Sequence, residues 1–175
     1  FREGQFNIIA NALMRNDTVG LLPTGSGKSI CYQLACILQP SISFVVCPIK
    51  SLMYDQKDDL DKIFFSRTNY ITSDLNASEK TTIQREFARG KYFFIFISPE
   101  RFQSKAFRQE FNSINEEKSF AYAVIDEVHC LSEWGHDFRT SYLNLANVIS
   151  KLATNSTYIG LTATASINVL RDIQI

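Results

Sequence analysis

The chain has 175 residues, 45% of them hydrophobic and 21% charged, with Lys plus Arg and Asp plus Glu balanced at 18 each. That length suits one domain with a sizeable core, and the charge balance excludes a broad basic field as the basis of nucleic-acid binding, leaving a local patch or base stacking. No signal peptide is visible and no apolar run reaches the roughly 18 residues of a membrane span, so no membrane association and an intracellular site are expected, cytoplasmic in a bacterium or nuclear in a eukaryote.

Taken in order, residues 5–15 place Phe6, Ile9, Ala10 and Leu13 on one face of a helix. Residues 19–22 read as a short strand and 27–38 as a helix. "SFVVC", 43–47, is a strand, followed by a helix over 50–63. "NYIT", 69–72, is a weaker strand before a polar helix over 77–89. "YFFIFI", 92–97, and "FAYAVI", 120–125, are apolar on both faces, as buried parallel strands are. "TYIGL", 157–161, is the last strand, and a helix follows from 166. Alternating strands and helices predict an α/β fold, a mainly parallel sheet with helices on both faces and ligands at the edge where the strands end. Cys31, Cys36, Cys47 and Cys130 form no CxxC pair and read as reduced thiols in or near the core rather than zinc ligands. The chain opens at Phe1 without Met and stops after an amphipathic stretch, which reads as a piece of a longer protein.

"LLPTGSGKS", 21–29, lies between a strand and a helix. It matches G-x-x-x-x-G-K-[ST] except that Leu22 stands at the first Gly. Thr24, Gly25, Ser26 and Gly27 form a loop whose backbone N–H groups can turn inward around phosphates. Lys28 would reach the outer phosphates and Ser29 would ligate Mg²⁺, with the positive end of a helix behind them. Asp126-Glu127 ends a buried strand. Nucleotide hydrolysis needs one carboxylate for Mg²⁺ and one group to activate water, and these two suit those roles in that order. Lys28, Asp126 and Glu127 are therefore the candidate catalytic residues, with Ser29 and Asp126 on the metal.

These residues carry a family resemblance. Asp126-Glu127-Val128-His129 resembles the DExH box of superfamily 2 helicases, residues 23–29 resemble that superfamily's phosphate loop, and "GLTATA", 160–165, resembles its third motif. "FREGQ", 1–5, "CPIKSLMYDQ", 47–56, "ISPERF", 97–102, and "LSEWGHDFR", 131–139, resemble motifs 0, Ia and Ib and the aromatic-rich loop of the RecQ family. Val128 stands where Ala is usual, Glu133 where Gln is usual, and Thr140-Ser141-Tyr142 where Pro-x-Tyr is common. The resemblance runs from Phe1 to about Ala165 and implies the first RecA-like lobe of a RecQ-type DNA helicase, a three-layer αβα P-loop NTPase.

What it implies for function is specific. The cofactors are ATP and Mg²⁺, and the partners are single-stranded or junction DNA and a second RecA-like lobe of the same chain. Gln5 would read adenine, since its amide carries the donor and acceptor that N7 and N6 require, and Arg2 would stack on the base. Trp134, His136, Phe138 and Arg139 would form a DNA contact continuous with Glu127, gripping bases by stacking. Thr162 and Thr164 would link hydrolysis to DNA, while Lys50 and Arg101 would touch phosphates. His129 reads as orienting polar groups of the ATP site. Two alternatives stay open: an RNA-acting DExH motor, and a non-motor nucleic-acid-binding module that keeps the fold. A GTPase is disfavoured because no NKxD occurs.

Overall fold

A computed structural model describes residues 1–131 and 145–164. Six strands form one sheet: β1 (Thr18–Leu21), β2 (Ser43–Val46), β3 (Thr68–Ile71), β4 (Phe94–Ile97), β5 (Tyr122–Asp126) and β6 (Thr157–Thr162). Their order across the sheet is β1-β6-β5-β2-β4-β3, and every pairing is parallel. All six strands therefore end on the same edge. The register sets Leu21 beside Thr162, Leu161 beside Asp126, and Val46 beside both Ile125 and Ile97.

Helices cover both faces. α1 (Gln5–Leu13), α2 (Lys28–Leu38) and α3 (Lys50–Lys62) close one side. Ile8, Ile9, Ala12, Cys31, Ala35 and Met53 meet Val45, Phe96, Val124 and Leu161 there. On the other side lie α4 (Ala77–Ala88), α5 (Lys105–Lys118) and α6 (Leu145–Leu152). Their Phe87, Phe107, Phe111 and Ile149 meet the alternate strand residues Phe44, Val46, Ile95 and Ile125. This is why the strands β2, β4 and β5 read as continuous apolar runs: successive side chains go to opposite faces, and both faces are covered. Aromatic rings dominate the second layer. Phe111 stacks on Phe120 with centroids 4.6 Å apart, and Phe44 meets Phe111 edge-on at 5.0 Å.

The architecture is the expected three-layer one, with four differences of detail. Residues 98–119 and 145–156 have no predicted element, yet they hold a 3₁₀ turn at Pro99–Gln103, α5, and α6. The run 92–97 becomes a strand only from Phe94, and the run 120–125 is shifted, with β5 spanning Tyr122–Asp126. The inward face of α1 is also different. Gln5, Ile8, Ile9 and Ala12 are buried, whereas Phe6 is 64% exposed and leans toward the Phe1 ring. The expected helix from 166 lies outside the described residues. Cys31, Cys36 and Cys47 are buried free thiols and Cys130 is half-buried; burial pushes Cys36 and Cys47 up to about 12 and Cys130 to about 11, so none is poised as a nucleophile. Among the described residues no helix is long and apolar enough to cross a membrane.

Candidate nucleotide site at the strand-end edge

After Leu21 the chain turns through residues 22–27 before α2 begins at Lys28. Gly25 and Gly27 hold φ of 75° and 79°, a conformation that glycine adopts at little cost. A Cβ on Gly25 would meet nothing within 4 Å, so this side of the loop is open to a ligand's approach. No side chain caps the start of α2, which leaves the positive end of the helix dipole to an anion. The Ser26 hydroxyl is buried without a partner among the described residues. Together these features fit a bound phosphate chain. Lys28 and Ser29 follow at the first helical turn, both half-buried, and Thr24 is exposed.

The start of the chain is stitched to this loop. Gln5 is 4% exposed, and its amide nitrogen donates to the carbonyls of Ser26 at 2.8 Å and Gly27 at 3.0 Å. Its amide oxygen accepts from the Arg2 backbone N–H at 2.8 Å, and the Arg2 guanidinium donates to the Gly25 carbonyl. Gln5 and Arg2 thus touch the phosphate loop itself, three residues of which they hold by their carbonyls.

Asp126 ends β5 and is 4% exposed. Burial first, and then the neighbouring Glu127 charge, push its carboxyl up to about 6, while the Glu127 N–H and Lys28 pull the other way. Glu127 turns the chain with φ of 55°, left-handed for a residue with a side chain. Its carboxylate is the hub of the site. One oxygen lies 4.0 Å from the Lys28 ammonium. The other lies 3.2 Å from His129 Nδ1 and 3.4 Å from the Thr162 hydroxyl. His129 Nδ1 is itself 2.8 Å from Thr162 Oγ1. Thr162 Oγ1 also accepts the Thr164 N–H at 3.2 Å and lies 3.0 Å from the Thr164 carbonyl, so its one proton has two acceptors in reach. Lys28, Glu127, His129, Thr162 and Thr164 form one connected set.

The expected nucleic-acid residues stand further along the same edge or outside the described residues. Lys50 begins α3 and pairs with Asp74 at 2.7 Å, also donating to Ser73. The Asp74 hydrogen bond holds the Lys50 ammonium above its usual range. Arg101, in the 3₁₀ turn after β4, lies over the Phe107 ring at 5.1 Å, and its buried Nε has no partner among the described residues. Trp134, His136, Phe138 and Arg139 lie outside the described residues.

Sequence reading passed over a second buried pair, Tyr32 and Gln56. Both are buried, and the Tyr32 hydroxyl donates to the Gln56 amide oxygen. Burial and then the Asp126 charge hold the Tyr32 phenol well above its usual range. The available signal was positional: Gln56 shares the inward face of α3 with Met53 and Leu60.

Comparison with known proteins agrees with this geometry. The DEAD/DEAH box helicase family model matches residues 2–173. A probable ATP-dependent DNA helicase, RecS, of Bacillus subtilis (strain 168) is 38% identical over 173 residues, covering 99% of this chain and 34% of the relative. The RecQ-like DNA helicase blm-1 of Caenorhabditis elegans is 36% identical over 176 residues, covering 98% of this chain and 18% of the relative. The chain thus spans about a third or less of the length of these relatives. Among solved structures, the DUF1998 helicase MrfA superposes with a TM-score of 0.77 at 18% identity, over 99% of this chain and 28% of that one, a likeness of fold. With its phosphate loop, acidic pair and third motif on one sheet edge, the chain belongs to the DEAD/DEAH box helicase family, and its curated relatives include members of the RecQ type.

Proposed function

We propose that this chain is the ATP-binding lobe of a RecQ-type DNA helicase, which couples ATP hydrolysis to movement along DNA and strand separation. The observation that carries the reading is the position of Glu127, with Lys28 on one side and His129 and Thr162 on the other. Bound ATP with its magnesium supplies the phosphoanhydride to be broken. Gly25 to Gly27 and Lys28 would hold the phosphates, Ser29 and Asp126 would hold the metal, Arg2 would face the base, and Gln5 would read it on releasing the Ser26 and Gly27 carbonyls. Glu127 orients a water and takes its proton. His129 and Thr162 fix the Glu127 carboxylate, so a shift of the Thr162–Thr164 segment alters the base that hydrolysis depends on.

DNA as the nucleic acid is supported by what the two relatives are called, DNA helicases in both cases. The lobe would act with a second RecA-like lobe supplying an arginine, a contribution worth about 10³–10⁵ in rate where such residues are used. The test is ATP hydrolysis by the complete protein with single-stranded DNA, with RNA of the same sequence, and with neither. DNA should stimulate most. Lys28→Ala should abolish turnover, and Glu127→Gln should retain nucleotide binding while stalling hydrolysis. Stimulation by RNA alone would replace the reading with an RNA motor; near-wild-type turnover in Glu127→Gln would remove Glu127 as the base.

A further inference from the structure

Two helices on one face of the sheet begin at two places along the strand-end edge. α2 starts at the phosphate loop, and α3 starts at Lys50, beside Asp74. Between them runs a polar bridge through an otherwise apolar layer. Tyr32, one turn beyond Ser29, donates its hydroxyl to the amide oxygen of Gln56. Gln33 on α2 also points its amide nitrogen at that oxygen, at 3.4 Å. The amide nitrogen of Gln56 has no partner among the described residues, although the residue is only 8% exposed.

Gln56 is a polar residue between Met53 and Leu60 on a buried helix face, and it is the acceptor for the buried Tyr32 hydroxyl. A buried donor left unpaired is destabilising, so the arrangement seen here is not the one that best satisfies Gln56. A displacement of α3 against α2 that paired this donor would recover that loss. Tyr32 stands one turn after Ser29 on α2, so a movement of its ring is passed to the start of that helix.

Building on the proposed function, we propose that the Tyr32–Gln56 hydrogen bond is a positioning link that couples nucleic-acid engagement at the start of α3 to the phosphate loop. Phosphate contact at Lys50 competes with Asp74, moves the start of α3, and reaches Ser29 through Gln56 and Tyr32. Neither residue touches the reacting atoms.

The test uses the complete protein with single-stranded DNA. Two quantities are read: the ratio of stimulated to basal ATP hydrolysis, and the change in affinity for DNA caused by a non-hydrolysable ATP analogue. Tyr32→Phe removes only the hydroxyl. Gln56→Leu removes the acceptor and the unpaired donor together. Each should lower the ratio by about fivefold or more and flatten the analogue's effect on DNA affinity, by the reciprocity of linked sites. The double variant should be no worse than either single one, because both break the same bond. A ratio unchanged in both variants overturns the link, and so does an equal fall in basal and stimulated rates, the mark of packing alone. Should Tyr32→Phe fail to fold, Gln56→Leu carries the decision by the same criteria. A wild-type protein with no DNA stimulation overturns both this inference and the helicase reading; stimulation in the wild type that survives both variants overturns only this one.

Discussion

Asp126 is almost fully enclosed at the end of β5, and its carboxyl is pushed up to about 6 from 3.8, by burial first and by Glu127 second. The sign of its effect on stability follows. The folded, metal-free protein binds a proton more tightly than the unfolded chain, so this group's contribution is fully present below its ordinary value and is lost as pH rises through about 6. The displacement corresponds to at most about 3 kcal/mol. Asp126→Asn cannot ionise. In chelator, urea denaturation should therefore show the variant gaining stability relative to wild type between pH 4 and 7, with the gain complete by about pH 7. Parallel pH profiles would mean that the carboxyl is not held high. At this scale the chemistry of the site was partly legible: Lys28, Asp126 and Glu127 follow from residue type and from their place between strand and helix. The grip of Gln5 on the loop carbonyls and the Tyr32–Gln56 pair were not, because each joins segments distant in sequence through particular side-chain rotamers.

At the scale of elements, the packing of the turn after β5 against β6 is set by a single missing atom. A Cβ built on Gly160 would lie 3.0–3.2 Å from three carbons of Val128, one of them its Cβ, which cannot rotate away. Val128 is 2% exposed and follows Glu127 directly. Gly160→Ala should therefore lower stability by about 1–3 kcal/mol through overpacking and reduce hydrolysis by displacing Glu127. Adding Val128→Ala should restore most of both losses. Thermal melting and ATPase rates of the two variants and their combination check this, and an additive double loss would show that the two residues do not meet. β2, β4 and β5 were legible because a short β-rich run that is apolar on both faces suits a strand covered on both sides. α5 was not, although Phe107, Phe111 and Ile114 share its buried face. Their spacing is helical, but with Ala106 they are the four apolar residues among fourteen, and they are held by Phe44, Phe87 and Phe120, brought there by other elements. α1 was legible as a helix and misread in orientation, since nothing local says that Gln5 turns inward to the loop while Phe6 stays out.

Over the whole molecule, the sheet order divides the strand-end edge in two. β1, β6 and β5 carry the phosphate loop, Thr162 and Asp126, while β2, β4 and β3 lead to Lys50, Arg101 and Asp74. The balanced overall charge suits this division, because each half carries a few paired groups rather than a broad field. The order has a consequence for assembly. β1 is an edge strand whose neighbour is β6, with Thr18 beside Ile159, so nearly the whole described chain separates the two. Pairing across such a distance comes late, since closing long loops is slow. On a ribosome, β2 to β5 and their phenylalanine layer can gather while β1 waits unpaired and the loop behind it has no fixed wall. Nucleotide binding is then the last competence the nascent lobe acquires. A chain ending at Leu152 should retain helical signal but fail to retain a fluorescent ATP analogue, which the chain through β6 and beyond should hold. Equal retention by both would mean that the phosphate loop is set before its strand is paired.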